Sequence, residues 1–320
     1  MGIYVDNHKV GGRGPRGYPA SVNGVSPDNA GNIILTPAVI GAATNLNLLD
    51  NAYFLDSINQ RGKTEYTTAY SYTIDRWING TGKLELTEQG LIISPQGHPQ
   101  QVLEDYIANT IKGRLVTISL LCADNTLHKT SAIFPQNNDP FYASDGYIIF
   151  ELAINDLGKS YIAPRNSSDE NKIFVAAKLE LGPIQTLAHQ DAAGNWVLND
   201  PPPNKALELL KCQRYYQRFS LSSHMPIGTS IIDGAKNLQI PFKLNVPMRC
   251  APTVKFDGGM RASGTEVNYI TVTPYETVFS DDFSIAVFNF NFGDISGASQ
   301  FIPITLDAYP YLTIEFDAEL

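Results

Sequence analysis

The sequence predicts a mainly β protein with jelly-roll or β-sandwich domains, one linking α-helix over about residues 204–219, and an extended connector at the N-terminus. Three observations predict this fold class. The 320 residues include 25 Gly and 20 Pro, which favour turns. Tyr (16) and Phe (15) far outnumber Trp (2), and both are frequent in strands. Apolar and polar residues alternate over short runs bounded by turn clusters, as in strands with one buried face.

The composition excludes several classes of protein. With 43% hydrophobic residues the chain can bury sizeable cores, so intrinsic disorder is excluded. The 23 Lys and Arg against 32 Asp and Glu give a net charge of −9, which repels a phosphate backbone and argues against nucleic-acid binding. No apolar stretch approaches the roughly 20 residues of a membrane helix, and the N-terminus has no signal-peptide pattern. We therefore expect neither membrane insertion nor classical export.

Residues 1–45 form the first region of the chain. Gly11, Gly14 and Gly17 begin three consecutive G-x-y triplets. A collagen-like triple helix needs glycine at every third position, although three triplets are too few to be stable alone. The repeat has two interpretations: a flexible Gly/Pro linker with a chance repeat, or a short trimer-nucleating segment in which Gly11, Gly14 and Gly17 are the trimerisation residues.

The first region continues with the segment SVNGVSPDNAGNIILTPAVIGA at 21–42, which contains a hairpin signal and a short strand closed by Pro37. This segment resembles the connector near the N-terminus of many phage and prophage tail fibres. The resemblance implies that residues 1–45 attach the protein to the virion through baseplate or tail proteins.

Residues 46–200 form the second region, in which short strands dominate. Clusters of Gly, Pro, Asn and Asp separate its apolar or alternating runs, which lie at 115–121, 147–154 and 172–181. This arrangement favours a jelly roll over a parallel α/β sheet.

Four strings in the second region resemble the carbohydrate-binding-module-like domain of tail fibres: INQRG at 58–62, YTIDRW at 72–77, KLELG at 178–182 and GNWVLN at 194–199. The resemblance implies a carbohydrate-binding-module-like jelly roll. Within YTIDRW, we expect Trp77 to lie in the core and Asp75 to form an ion pair with Arg76.

The segment 201–220 is the predicted linking helix. It follows three consecutive prolines, and Asn204 is the predicted N-cap. Apolar residues recur at three- and four-residue steps, which predicts a helix from about 204 to 219; they are Ala206, Leu209, Leu210, Cys212, Tyr215, Tyr216 and Phe219. The string CQRYY at 212–216 again resembles the tail-fibre family.

Residues 221–320 are the third region and are predicted to be a C-terminal β-sandwich. Strict alternation at 284–292 and 311–320 indicates strands with one buried face. The string NVPMRCAPTVKF at 245–256 resembles a strand entry in tail-fibre C-terminal domains, which implies that this sandwich is the distal tip of a fibre.

The sequence contains no motif that is typical of a catalytic site. The five His residues have no metal-binding spacing, and neither a G-x-S-x-G elbow nor a phosphate-binding loop is present. Two acidic pairs, Glu104–Asp105 and Asp281–Asp282, are interpreted as surface or turn residues, because neighbours on a strand point to opposite faces. Calcium coordination is the less favoured alternative, so we predict no cofactor. The three cysteines, far apart in the chain, are predicted to be buried free thiols: Cys122, Cys212 and Cys250.

Glycan binding needs exposed aromatic rings beside amides and carboxylates. Two clusters in turn-rich segments meet this description. The candidate glycan-binding residues are Phe141, Tyr142 and Asp145 in one cluster, and Tyr275, Phe279, Asp281 and Asp282 in the other. The alternative is that these rings belong to the core or to a trimer interface.

Together with the resemblance, these observations predict a non-enzymatic phage tail fibre or receptor-binding protein. It would be a homotrimer, made in the bacterial cytoplasm and assembled into the virion, that mediates adsorption by binding bacterial surface glycans. Two alternatives remain: a structural collar or baseplate fibre without receptor contact, and a cell-wall glycan hydrolase.

Overall fold

A computed structural model describes residues 3–5, 8–10, 45–231, 237–264, 267–274, 276–291 and 303–319. At the N-terminus, β1 (Ile3–Val5) and β2 (His8–Val10) form an antiparallel pair. The predicted trimerisation residues Gly11, Gly14 and Gly17, with almost all of the predicted connector, lie outside the described residues, as does Tyr275.

The second region folds as an antiparallel β-sandwich, which confirms the predicted class. Its strands are β3 (Glu65–Tyr66), β4 (Ser71–Tyr72), β5 (Ile78–Thr81), β6 (Leu84–Thr87), β7 (Gly90–Ile93), β8 (His98–Val102), β9 (Leu115–Cys122), β10 (Leu127–Ile133), β11 (Phe141–Asp145), β12 (Ile148–Ile154), β13 (Ser160–Asn166) and β14 (Lys172–Leu181). One sheet has the order β10-β9-β14-β7-β6-β3 and the other β11-β12-β13-β8-β5-β4.

The two six-stranded sheets share one apolar core. Ile118 and Leu179 of the first sheet and Phe150 of the second are buried in it. Trp77 is fully buried there, as predicted, and its ring makes an edge contact with Phe54 of a short 3-10 helix, Phe54–Asp56. A helix that the sequence did not indicate, α1 (Asp105–Ile111), also packs against this core.

A hairpin covers part of the outer face of the first sheet. It consists of β15 (Ala188–Gln190) and β16 (Trp196–Leu198), and residues of this segment pack on Leu121 and Ala176. Because both faces of β14 are covered, its Lys178 is fully buried and pairs with Asp200 at 2.9 Å. The outer face of the second sheet includes the exposed Tyr142 of its edge strand β11.

The predicted linking helix is confirmed, but it is shorter than expected. It forms α2 (Lys205–Gln213), and the Asn204 side chain caps it by accepting hydrogen bonds from two backbone N–H groups. Tyr216 instead begins β17 (Tyr216–Ser222), where sheet pairing and burial of its ring outweigh the helical spacing of residues 214–219. Within the predicted apolar stripe, Ala206 and Leu210 are exposed and Leu209 is half-buried, whereas Cys212, Tyr215 and Tyr216 are buried, so only the C-terminal part of the stripe packs inward.

The third region contains a second antiparallel sandwich, as predicted. Its strands after β17 are β18 (Pro226–Ile231), β19 (Asn237–Lys243), β20 (Thr253–Gly264), β21 (Val267–Val272), β22 (Glu276–Phe279), β23 (Ile285–Asn291) and β24 (Pro303–Asp317). One sheet has the order β17-β24-β20-β21, with β18 also paired to β24, and the other is β19-β23-β22. The predicted inward residues Phe288, Phe290, Ile314 and Phe316 are buried between the sheets.

The two sandwiches meet at a seam of buried charges. Arg76 is 1% exposed; its Nη1 donates to Glu319 Oε2 at 2.9 Å and its Nη2 to the Val102 carbonyl at 2.9 Å. Arg61 Nη1 donates to Asp75 Oδ1 at 3.1 Å. The predicted ion pair between Asp75 and Arg76 is therefore wrong, because each of these neighbouring side chains finds its partner elsewhere.

The string CQRYY supplies the aromatic part of the seam. The Tyr215 ring centroid lies 3.5 Å from Arg76 Cζ, and the Tyr216 ring centroid lies 3.9 Å from Arg61 Cζ. The Tyr215 hydroxyl also donates to the carboxylate of Glu104. The strings INQRG, YTIDRW and CQRYY, distant in sequence, thus converge on one interface.

Candidate functional site

The outer face of the second sheet carries a polar aromatic surface, here called the tyrosine face. Tyr142 pairs with Glu151 across β11 and β12, and Glu151 pairs with Ala163 across β12 and β13. Residues directly opposite in antiparallel strands share a face, as do residues two positions apart. Tyr161 and Arg165 of β13 therefore lie on this face as well.

One carboxylate joins the two tyrosines of this face. Glu151 Oε1 accepts a hydrogen bond from the Tyr142 hydroxyl at 3.2 Å and from the Tyr161 hydroxyl at 2.5 Å. Glu151 is 8% exposed, whereas Tyr142 is 56% exposed. The buried carboxylate thus fixes the hydroxyl end of Tyr142 and leaves much of its ring accessible to a ligand.

The two tyrosine hydroxyls and the His98 imidazole of the face are held in neutral forms. Burial, followed by contact with Glu151, raises the pKa of both the Tyr142 and the Tyr161 hydroxyls. Burial, followed by the nearby charge of Arg165, lowers the pKa of His98. At neutral pH the accessible part of the face therefore combines the protonated hydroxyls of Tyr142 and Tyr161 with the Arg165 guanidinium, groups that can hydrogen-bond to sugar hydroxyls, while the neutral His98 imidazole is buried.

The floor of the face is shaped by a small residue. A Cβ atom at Gly80 would lie 2.3 Å from His98 Nε2 and 2.8 Å from Gln100 Nε2. Those two side chains therefore lie directly over the glycine, and a larger residue at this position would displace them.

The first predicted glycan-binding cluster lies at the edge of this sheet. The sequence analysis placed it in a turn-rich segment, but Phe141, Tyr142 and Asp145 belong to the edge strand β11, paired with β12 along its length. The Phe141 ring packs against the core, and Asp145 Oδ2 accepts a hydrogen bond from the Lys129 backbone. Only Tyr142 of the three belongs to the tyrosine face.

The described members of the second predicted cluster, Phe279, Asp281 and Asp282, do not form a ring-lined surface. Phe279 packs against the core of the C-terminal sandwich, with its ring centroid 6.4 Å from that of Phe316. Asp281 and Asp282 are exposed in the turn before β23. Hydrogen bonds from the Ser280 and Ser284 hydroxyls lower the pKa of Asp282, so that carboxylate is engaged within its own turn.

The remaining acidic pair is also separated. Glu104 accepts from Tyr215 in the seam, whereas Asp105 pairs with Lys159 at 3.0 Å on the surface. In the part of the chain that the structure describes, no group of three or more His, Cys, Asp or Glu side chains is placed to hold a metal ion. Cys122 and Cys212 are buried and free, and Cys250 is half-buried.

The sequence analysis missed three members of the tyrosine face: Glu151, Tyr161 and Arg165. Glu151 is the one charged residue in the apolar run 148–154, and this interruption is the signal that could have identified it. Tyr161 and Arg165 carry no comparable signal, because their position beside Glu151 depends on strand pairing.

The comparisons with known proteins add no relative. No family model, curated protein or solved structure matches the chain. None of the helices among the described residues has the length and apolarity needed to cross a lipid bilayer.

Proposed function

We propose that the protein is a non-enzymatic receptor-binding protein of a phage tail fibre, which adsorbs to the bacterial surface by binding glycans on the tyrosine face. The observation that carries the glycan assignment is the Tyr142–Glu151–Tyr161 arrangement. It combines an accessible ring, which can pack on the apolar face of a sugar, with fixed polar groups that hydrogen-bond to its hydroxyls.

The assignment to a phage fibre rests on the sequence strings that resemble tail fibres. Two antiparallel sandwiches joined by a short helix are compatible with that architecture. A homotrimer would carry three copies of the face, so weak single sites would combine through effective concentration into firm attachment.

Glycan binding is tested with the full chain on an array of bacterial surface polysaccharides, followed by calorimetry with the best ligand. Tyr142→Ala should raise the dissociation constant about tenfold or more, because an aromatic contact and its positioned hydroxyl are lost. Tyr142→Phe, which keeps the ring, should have a smaller effect.

Tyr106→Ala is the matched control, since Tyr106 is 65% exposed on α1, outside the tyrosine face. It should bind as the unmodified protein does. Equal losses in Tyr142→Ala and Tyr106→Ala, or an array on which the intact protein binds nothing, would overturn the glycan assignment.

Two further measurements test the remaining parts of the proposal. New reducing ends after incubation with host wall polysaccharide would make the protein a hydrolase and contradict the non-enzymatic assignment. Light scattering that shows a stable monomer of 35.1 kDa would contradict the homotrimer.

A further inference from the structure

A cleft lies at the seam between the two sandwiches, away from the edge strand β11 that carries Tyr142. It has a volume of about 370 Å³ and is here called the seam cleft. The first sandwich and its loops contribute Lys63, Tyr66 and Tyr72, and the C-terminal sandwich contributes Tyr216 and Lys255. Its volume lies within the range of about 300–1,000 Å³ that is usual for small-ligand sites.

The walls of the cleft are fixed before any ligand binds. Tyr66 and Tyr216 are nearly buried, and the Tyr66 hydroxyl donates to Asn59 Oδ1 at 2.8 Å. The Arg61 guanidinium lies over the rings of both Tyr72 and Tyr216, at 5.3 and 3.9 Å from their centroids. A ligand would therefore meet preorganised aromatic and polar walls, which reduces the entropy lost on binding.

The acidic residues of the cleft already have cationic partners. Glu65 pairs with Lys83 at 2.7 Å, and Glu315 pairs with Arg218 at 3.8 Å. Asp317 lies 3.6 Å from Arg61 Nη2. Two of these cations are shared with other carboxylates: Lys83 also pairs with Glu85 at 3.2 Å, and Arg61 also pairs with Asp75 at 3.1 Å and with Glu319 at 3.6 Å.

The cleft also contains two lysines that take no part in these contacts. Lys63 and Lys255 are exposed, come from different sandwiches, and have no ion pair within the described parts of the chain. Arg61 Nη2 is buried and, among the described residues, makes no hydrogen bond. In a protein of net charge −9, the cleft thus presents two unpaired ammonium groups above an unsatisfied guanidinium donor.

We propose that the seam cleft binds an acidic saccharide, a sugar that carries a carboxylate or a phosphate. Lys63 and Lys255 pair with the negative group. The exposed hydroxyls of Thr67 and Thr68, which also line the cleft, hydrogen-bond to the sugar ring. The half-buried Tyr72 ring favours a saccharide over a bare inorganic anion, because a sugar can pack an apolar face on this ring and an anion alone cannot.

The experiment uses the full chain and three ligands that share one sugar ring: galacturonate, galactose 6-phosphate and galactose. Binding is followed by saturation-transfer difference NMR and titrated for the dissociation constant. We expect at least one of the two acidic sugars to bind at the seam cleft and galactose to bind there far more weakly. Comparing the dissociation constants of galacturonate and galactose 6-phosphate shows whether the cleft prefers a carboxylate or a phosphate. Raising the salt concentration should weaken binding of the acidic sugar, since exposed ion pairs are screened.

The variant Lys63→Gln/Lys255→Gln should weaken binding of the acidic sugar about tenfold, as expected for two exposed ion pairs. Lys243→Gln removes another exposed lysine, outside the seam cleft, and is the matched control; it should leave binding unchanged. Tyr142→Ala should also leave it unchanged, so failure of this site and failure of the tyrosine face are distinguishable. The proposal is overturned if neither acidic sugar binds, if galactose binds equally well, or if the double variant binds as the unmodified protein does.

Discussion

Arg76 and Glu319 form a buried ion pair that joins the two sandwiches. Their side chains are 1% and 2% exposed, and Arg76 Nη1 lies 2.9 Å from Glu319 Oε2. Arg76 Nε also lies 3.3 Å from Asp50 Oδ2, so the guanidinium is held between two carboxylates. This pair connects residues 243 positions apart and fixes the last described residues of the chain against the first sandwich.

Arg76→Gln should strongly destabilise the protein. The substitution leaves the buried Glu319 carboxylate with only the longer contact to Arg61 Nη2, at 3.6 Å, and losing one member of a buried pair costs about 3–5 kcal/mol. Urea unfolding measures this cost as the change in the free energy of unfolding.

Lys83→Gln is the control for the seam pair. Lys83 is 43% exposed and pairs with Glu65 and Glu85 on the surface, so its loss should cost less than about 1 kcal/mol. The double variant Arg76→Gln/Glu319→Gln should regain part of the stability that Arg76→Gln loses. A double variant less stable than Arg76→Gln would contradict the assigned pairing.

The contacts at the seam could not be predicted from the sequence, although the strands of each sandwich could. The strands at 115–122 and 148–154 could be predicted, because apolar runs bounded by turns are a local signal. The partners of Arg76 could not, because they depend on how two separate sandwiches meet. The helix end was also misplaced: Tyr216 fits the helical spacing, but pairing with Asp317 places it in a strand.

The tyrosine face was predicted only in part for the same reason. Tyr142 stands out in the sequence as an aromatic residue in a turn-rich segment that also contains Ser144 and Asp145. Tyr161 and Glu151 belong to other strands, and register alone brings their side chains beside it. Local composition therefore identifies one residue of such a surface, and the other residues become visible only when the strand pairing is known.

Stability should depend on pH through Asp75. Burial, assisted by the nearby Glu319 and opposed by Arg61 and by hydrogen bonds from Gln60, raises the pKa of Asp75 to about 7. In the unfolded chain the pKa is about 3.9. Between these values the folded state holds a proton that the unfolded state releases, so the Asp75 contribution to the free energy of unfolding falls as pH rises through this window.

Asp75→Asn isolates this effect, since the amide stays neutral at every pH. Its stability relative to the unmodified protein should increase between about pH 5 and about pH 8. Urea unfolding of both proteins at the two pH values gives the difference. A constant difference, or one that falls, would show that Asp75 ionises in the folded protein at its ordinary pKa.

Gly258→Ala should destabilise the C-terminal sandwich. Gly258 has φ of +105°, and an added Cβ would lie 2.2 Å from the Tyr311 carbonyl oxygen in the neighbouring strand β24. Backbone strain and the steric collision add up, so we expect the free energy of unfolding to fall by more than about 3 kcal/mol. Thermal and urea unfolding measure it.

Gly158→Ala separates the two causes. Gly158 also has a positive φ, of +75°, but nothing lies within 4 Å of the position that a Cβ would take. Only the backbone strain remains, and we expect the free energy of unfolding to fall by about 1–2 kcal/mol. Equal losses at the two glycines would mean that β24 moves aside without cost at Gly258.

Asn204→Ala should destabilise α2 and loosen the connection between the sandwiches. The Asn204 Oδ1 atom accepts hydrogen bonds from the N–H groups of Ala206 and Leu207, at 3.1 and 3.2 Å, and alanine leaves both donors without this partner. Loss of an N-cap costs about 1 kcal/mol. Asn204→Asp keeps an acceptor oxygen and should retain nearly full stability in the same urea unfolding experiment. If Asn204→Asp lowers the free energy of unfolding as much as Asn204→Ala does, the Asn204 side chain does not act as a cap. The start of the helix would then be set by the three preceding prolines, which end the extended chain.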